Sequence, residues 1–212
     1  MRGIWRLSST GVFQILVSTT SWVLLVRILS AFGSVVVAGN TIGIRLIVFA
    51  LLPAWGLANA AATMVGQALG AGKPERAAHA AWLAARYNFV CLGAVSLLFI
   101  AAAWPIVGIF TSDPEVARHA VACLRTVSVG FMIFGFGMTL SSALNGAGDT
   151  WTPTWINIGC FWCFEIPLAY LLAILLGWGP VGVYYAITIA FSVHAGVCAL
   201  VFRRGRWTTR RV

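Results

Sequence analysis

The sequence predicts an all-α membrane protein, a single bundle of six transmembrane helices. Its composition is 60% hydrophobic and 9% charged, with a mean hydropathy of +0.93, which exceeds what the core of a soluble domain requires. Six stretches contain no charged residue, and each reaches, alone or with its neighbours, the roughly 20 residues that a helix needs to cross a bilayer. Because lipid offers no partner to unpaired backbone groups, each stretch is predicted to be helical. The stretches are 7–26, 46–72, 87–112, 126–148, 150–164 and 166–202.

Short connections join the helices, so they are expected to pack as antiparallel neighbours in one domain covering residues 1–212. The first residues lead directly into a full-length helix, without the early small-residue cleavage site of a secretory signal. Glycines are predicted to end the second and fourth helices, and Pro74 and Glu75 to open a short amphipathic turn before the third. The predicted helices are about 8–31, 39–68, 82–110, 116–145, 152–176 and 180–203.

The basic residues predict how the bundle is oriented. With the N-terminus inside, the inner segments carry nine of the 14 Lys and Arg residues, whereas the outer segments carry only Arg118. The positive-inside rule then places both termini in the cytoplasm. The basic C-terminal tail is expected to meet anionic headgroups and not nucleic acid. The nine inner residues are Arg2, Arg6, Lys73, Arg76, Arg203, Arg204, Arg206, Arg210 and Arg211.

Glu165 is the one acidic residue well inside a predicted span. A charge at that depth costs about 2.5–3.5 kcal/mol on insertion scales, so an intramembrane carboxyl usually has a purpose. Two interpretations stay open. The group binds a proton, a sodium ion or a cationic solute, or it is a protonated or arginine-paired carboxyl that holds the bundle together. Arg27 and Arg45 are the possible partners, since all three residues are expected towards the outer side.

Polar residues form stripes on the first two predicted helices, where spacings of three or four place them on one face. In lipid such stripes turn inward, either to bond a neighbouring helix or to line an aqueous path. The stripes are Thr10, Gln14, Ser18 and Ser21, and then Asn59, Thr63 and Gln67. The fourth helix adds soft Met and Phe side chains that could accept apolar cations. The candidate cation or substrate path comprises Glu165, Gln14, Ser18, Asn59, Gln67, Met138 and Ser141.

Prolines interrupt the backbone hydrogen bonding of three predicted helices, because proline has no N–H to donate. Pro105 lies near a helix end, where the lost bond matters little. Pro53 and Pro167 lie deeper, where a kink is tolerated if neighbouring helices or a wet cavity satisfy the freed carbonyl. Such kinks occur both in transporters and in inert bundles.

Other chemistry has little support in the sequence. The five cysteines lie within predicted helices and are expected to pack as small hydrophobes, including the pair in CFWC, Cys160 and Cys163. His79, His119 and His194 lack the spacing of metal ligands, and no Ser, His and Asp arrangement suggests hydrolysis. The sequence therefore predicts neither an enzyme nor a bound metal or cofactor.

Two glycine-rich connections carry a resemblance to a known family. VGQALGAGKPERA includes Gly66, Gly70 and Gly72, and ALNGAGDTWTP includes Gly146 and Gly148. With AFGSVVVAGNTIGIRL (31–46) and FWCFEIPLAYLLA (161–173), these segments resemble the second half of multidrug and toxic compound extrusion (MATE) transporters. The resemblance covers essentially the whole chain, in the expected order.

The resemblance implies an antiporter of the bacterial inner membrane that expels organic cations and other xenobiotics against sodium ions or protons. It implies about twelve helices in two lobes that rock around a central cavity. This chain resembles one lobe, so its expected partners are lipid, small organic cations, and either a missing N-terminal lobe or a second copy of itself.

The sequence departs from the family in one respect. Some branches place cation-binding carboxylates in helices that correspond to the first and fourth helices here, and neither contains Asp or Glu. No carboxylate role is therefore transferred. Two alternatives to an efflux antiporter stay open. The chain could be a lipid-linked precursor flippase of the related superfamily, or a non-transporting scaffold or inactive truncated remnant.

Overall fold

The computed structural model describes residues 2–205 and 207, with side chains described from residue 11 onward. Within this part of the chain, six helices are long and apolar enough to cross a membrane, as the sequence predicts. A seventh, short helix, α4, continues the third span. The helices are α1 (Arg2–Ser30), α2 (Ser34–Gly70), α3 (Pro74–Ala101), α4 (Ala103–Gly108), α5 (Pro114–Gly146), α6 (Trp151–Leu175) and α7 (Pro180–Arg203).

The third span departs most from its predicted limits. The predicted amphipathic turn does not exist as a separate element, because Pro74 and Glu75 form the first turn of α3 itself. Both residue types favour a helix start, proline through its fixed φ and glutamate through the helix dipole. At its other end α3 stops at Ala101, and α4 begins again at Ala103. The predicted continuous helix over 82–110 is therefore wrong at both ends.

The break between α3 and α4 follows from Pro105. This residue cannot donate to the carbonyl of Ala101, and helical bonding stops with the amide of Ala102, which donates to Leu98. Arg125 of α5 donates its Nε–H to the carbonyl of Ile100 at 3.1 Å, so a neighbouring helix satisfies one of the freed acceptors. Pro105 thus interrupts the span instead of merely ending it.

Helix α5 is the central element, and α2, α3 and α7 pack along it. Glycines allow these helices to approach closely, since a Cβ at Gly39 of α2 would lie 2.7 Å from the Cβ of His119. On the other side of α5, a Cβ at Gly130 would lie 2.7 Å from the Cα of Thr188. Small residues are the usual means of helix association in lipid, where no hydrophobic effect drives it.

Asn88 of α3 is a buried polar clamp in this packing. Its Nδ2 lies 2.8 Å from Thr139 Oγ1 and 3.2 Å from the carbonyl of Gly135, both in α5. The same atom lies 3.2 Å from the carbonyl of Ala54 in α2. One amide therefore ties three helices together.

The two glycine-rich connections share one geometry, a Schellman motif. Gly72 and Gly148 have φ of +70° and +80°, a left-handed conformation that glycine adopts without steric cost. The following amides, of Lys73 and Asp149, donate to carbonyls five residues earlier in each case. The prediction that glycine ends both helices is confirmed.

Tryptophans near the helix ends form an interfacial belt only in part. Trp104, Trp151, Trp155 and Trp178 are exposed at helix ends, as expected of interfacial anchors. Trp207 is instead buried: its ring stacks on Phe202 with centroids 4.6 Å apart. The side chains of Trp5 and Thr10, and the basic side chains of Arg2, Arg6, Arg206, Arg210 and Arg211, lie outside the described residues.

We expect Asn88→Ala to lower the free energy of unfolding by about 1 kcal/mol, because it removes the interhelical hydrogen bonds of the clamp. Thermal unfolding of the full chain in detergent measures the effect. Asn59→Ala is the matched control, since the exposed Asn59 bonds no other described helix. Equal melting temperatures for the two variants would contradict the role of Asn88.

Candidate functional site

The candidate site lies along the contact between α1 and α6. Gln14 begins it: its Nε2 lies 2.9 Å from Thr154 Oγ1 and 3.0 Å from the carbonyl of Thr150. Its amide also faces that of Asn145, at the end of α5, at 3.4 Å. One turn along α1, the carbonyl of Val17 accepts the indole N–H of Trp162 at 2.9 Å. Polar contacts therefore connect these helices over successive turns.

Glu165 lies at the next turn of the same contact. Its side chain is 2% exposed, and Ser21 Oγ lies 3.1 Å from Glu165 Oε2 and 3.3 Å from the carbonyl of Phe161. No described residue forms an ion pair with Glu165, and the possible partners Arg27 and Arg45 are exposed instead. The arginine-paired interpretation is therefore wrong for the described chain. A carboxyl buried in this way holds a proton or meets a cation, because an unpaired charge in lipid is costly.

The backbone of α6 is irregular around Glu165. Residues Ile158–Glu165 form a π-helix, Ile166–Tyr170 an α-helix and Leu171–Leu175 a second π-helix. π-Helical turns are rare and occur frequently at functional sites. Pro167 is the second residue after the first of them and donates no backbone hydrogen bond. By contrast, Pro53 lies within α2, which is helical without a break.

A buried histidine contacts α6 from α7. His194 of α7 is 2% exposed, and its Nε2 lies 3.1 Å from Asn157 Oδ1 and 3.6 Å from Cys198 Sγ. Its ring stacks on Phe161, with centroids 5.2 Å apart and planes at 25°. Nδ1 has no hydrogen-bond partner within the described residues. Helix α6 thus makes one buried contact with a titratable group towards α1, Ser21–Glu165, and another towards α7, Asn157–His194.

Sequence patterns do not single out His194 as a functional residue, because the spacing of the three histidines bears only on a metal site. The available signal was its position: it is the one histidine within the long uncharged stretch 166–202. The aromatic residues around it were partly anticipated. Phe134 of α5 stacks on Phe191 with centroids 4.5 Å apart, and Phe134 also lies 5.6 Å from the ring of His194.

The structure divides the predicted path among separate locations. Gln14 and Ser18 lie half-buried on α1, and Ser21, also in the predicted stripe, reaches Glu165. Met138 and Ser141 are buried in α5, with Met138 in the apolar core. Met138 and Ser141 are therefore enclosed within the bundle, whereas Gln14 and Ser18 are partly accessible.

The second polar stripe lies on the outside of the bundle. Asn59, Thr63 and Gln67 are exposed, and none of them bonds another helix in the described chain. Thr63 only donates to the carbonyl of Asn59, at 3.1 Å. The expectation that this stripe turns towards neighbouring helices is wrong within this bundle. The same face of α2 becomes apolar farther from Gly70, at Leu52 and Phe49.

The comparisons with known proteins identify the family. The MatE family profile matches residues 11–171. The chain belongs to the MATE family. The resemblance carried by the glycine-rich connections is thereby confirmed, and members of this family are transporters and not enzymes.

Similarity to curated relatives extends over the whole of this MATE chain. The chain is 25% identical to "Probable multidrug resistance protein NorM" of Thermotoga maritima over 212 residues, which are 99% of this chain and 45% of the relative. A protein of the same name from Xanthomonas axonopodis pv. citri is 29% identical over 218 residues, covering 100% of this chain and 46% of the relative. The chain therefore spans about half the length of the relatives it matches.

Solved structures show the same fold at low identity. "MATE transporter ClbM in complex with Rb+" superposes with a TM-score of 0.91 at 22% identity, covering 98% of this chain and 49% of the other. The Vibrio cholerae MATE transporter VcmN in its bent form gives a TM-score of 0.86 at 20% identity, covering 93% and 44%. The fold is thus one six-helix half of a twelve-helix MATE transporter.

Within the described part of this MATE chain, no group of three or more His, Cys, Asp or Glu residues is arranged to hold a metal ion. Cys160 is buried whereas Cys163 is exposed, so the two sulfurs of CFWC face different surroundings. This arrangement agrees with packing and gives no support to a redox pair. The chemistry available in the α1–α6 contact is the binding of a proton or cation by Glu165.

We expect Ser21→Ala to raise the C=O stretching frequency of protonated Glu165, because the variant removes the hydroxyl that donates to this carboxyl. Difference infrared spectroscopy in lipid measures the shift, and Glu165→Gln identifies the band by its loss. Ser18→Ala is the control, since Ser18 makes no hydrogen bond to Glu165. An unshifted band in Ser21→Ala would show that the bond does not form.

Proposed function

We propose that the chain is one half of a MATE multidrug efflux antiporter, which expels organic cations and other xenobiotics in exchange for sodium ions or protons. The observation that carries the proposal is the MatE match over residues 11–171 together with the half-transporter fold. The names of the NorM relatives support the substrate class. Residues 1–212 act as a single unit of the bacterial inner membrane, with both termini in the cytoplasm.

A second six-helix lobe completes the transporter, either a missing N-terminal lobe or a second copy of this chain. The half-length match to relatives and to solved structures supports this requirement. The exposed Asn59 and Gln67 support it independently, because amides facing lipid without a partner are unfavourable. This polar face of α2 borders the water-filled path between the lobes.

Glu165 is the proposed coupling group of this half. Its burial, the hydroxyl donor from Ser21 and the irregular helix around it support the assignment. Binding of a sodium ion or proton at this carboxyl changes the charge in the α1–α6 contact. That change favours one arrangement of the two helices over the other, which is how ion movement drives substrate movement.

A larger cationic groove inside the lobe would favour the alternative function, a flippase for lipid-linked precursors. Every Lys and Arg side chain described from residue 11 onward is exposed on the outside of the bundle. No observation therefore favours this alternative.

Glu165→Gln is expected to slow efflux of a fluorescent organic cation from loaded vesicles by on the order of tenfold, because the amide cannot exchange a coupling ion. The measurement uses the two-lobe protein. Glu115→Gln is the control, since Glu115 is exposed in the first turn of α5. Unchanged transport with unchanged ion dependence would refute the coupling role of Glu165.

The need for a second lobe predicts that transport and assembly occur together. The 212-residue chain is expected to export a cation only when it forms a dimer or is co-expressed with an N-terminal lobe. Detergent-corrected mass measurement on the reconstituted sample gives the assembly state. A strictly monomeric chain that transports would contradict the proposal, and a paired chain that never transports would favour an inactive remnant.

A further inference from the structure

A groove on the outer surface of α3 is not explained by transport. Its volume is about 360 Å³, and its lining residues are His79, Trp82, Leu83 and Arg86. These positions recur at spacings of three, one and three, which places them on one face of the helix. His79, Leu83 and Arg86 are exposed, so the groove is open to the surroundings of the bundle.

Aromatic packing fixes one wall of the groove. Trp82 lies edge-on to Phe202 of α7, with centroids 5.6 Å apart and planes at 86°, and it lies 5.9 Å from Phe136 of α5. Trp207 also stacks on Phe202 and donates its indole N–H to the carbonyl of that residue at 2.9 Å. These contacts hold the C-terminal end of α7 beside the beginning of α3.

The surroundings of the groove are strongly basic. Arg203 and Arg204 follow Phe202 directly, and Lys73 and Arg76 lie at the beginning of α3. Glu75, one turn before His79, is the one acidic residue of α3. All of these side chains are exposed. The positive charges outnumber the negative one, so the field around the groove attracts an anion.

Arg86 lies at a level of α3 where the surroundings are apolar. It follows Pro74 by twelve residues, or about 18 Å of helix, and Tyr87, Phe89 and Val90 beside it are also exposed. Within the described chain it forms no ion pair. An arginine in this position extends along the helix towards the headgroups, and it is stabilised if an anion meets it there.

We propose that this groove binds the phosphate of an anionic phospholipid. The guanidinium of Arg86 offers the planar pair of donors that matches a phosphate. His79, on the same face and about two helical turns nearer the headgroups, offers a further donor. Trp82 supplies the amphipathic ring typical of the membrane interface, and Leu83 lies beside it for the acyl chain. Basic pockets of this kind on membrane helices recognise lipid headgroups.

Native mass spectrometry of the full chain in detergent tests the assignment, with dioleoylphosphatidylglycerol and dioleoylphosphatidylcholine as probes. The anionic lipid is expected to bind more tightly. Arg86→Gln and His79→Gln should each weaken binding of the anionic lipid by roughly fivefold and leave the zwitterionic lipid unaffected. Arg118→Gln is the matched control, because it removes one exposed positive charge at the opposite end of the bundle.

Several outcomes would refute the proposal that this groove binds an anionic phospholipid. Full affinity in both Arg86→Gln and His79→Gln would show that the groove is not used. An equal loss in Arg118→Gln would show attraction by net charge alone. Displacement of the lipid by millimolar inorganic phosphate would indicate a site for a soluble anion. If Arg86→Gln does not fold, Arg86→Lys keeps the charge but loses the paired donors, and undiminished affinity in that variant would equally refute the proposal.

Discussion

The absence of hydrogen-bond partners in lipid is the constraint on which this structure depends. Most polar side chains inside the bundle meet it by bonding a neighbouring helix. Asn88 bonds α2 and α5, Ser96 donates to the carbonyl of Ser128 at 2.6 Å, and Gln14 bonds the beginning of α6. These contacts specify which helices are neighbours, whereas glycines set how closely they approach α5. Polarity and close packing therefore act together to define one bundle.

Three polar side chains are informative because the bundle leaves them exposed or buried without a charged partner. Asn59 and Gln67 face outward on α2, and Glu165 is buried, with a hydroxyl donor and no basic partner among the described residues. These features are costly in an isolated lobe surrounded by lipid. They agree with the proposal of one half of a two-lobe antiporter, in which Asn59 and Gln67 would border water and Glu165 would exchange an ion. The half-length match to MATE relatives supports the same conclusion from independent evidence.

Much of the fold could be predicted from the sequence, because span length and uncharged stretches follow directly from the bilayer. The predicted limits of the sixth span, 180–203, agree with α7, and both glycine stops are confirmed. The start of α3 was misplaced because the helix extends beyond the apolar stretch, where hydropathy gives no signal. The break at Ala102 depends on Pro105 and on Arg125, which lies on another helix.

The candidate site was less predictable, since it depends on how helices face one another. Periodicity grouped Gln14, Ser18 and Ser21 correctly on one face, but it could not show that Ser21 reaches Glu165. It also could not show that the stripe of α2 faces outward. The π-helical turns of α6 change the residue period from Ile158 onward, which a regular helical pattern does not reveal. The contact between Asn157 and His194 depends on how α6 and α7 face each other.

Labelling of introduced cysteines with a membrane-impermeant maleimide tests most directly whether the polar face of α2 meets water. The experiment uses vesicles containing the two-lobe protein, with Cys91 and Cys163, the exposed native cysteines of this chain, replaced by alanine. Asn59→Cys and Gln67→Cys are predicted to react, whereas Val90→Cys, on the apolar exposed face of α3, is predicted to remain unreactive. Cysteines at positions 59 and 67 that are as unreactive as the one at position 90 would show that this face lies in lipid, which would contradict its place beside the transport path.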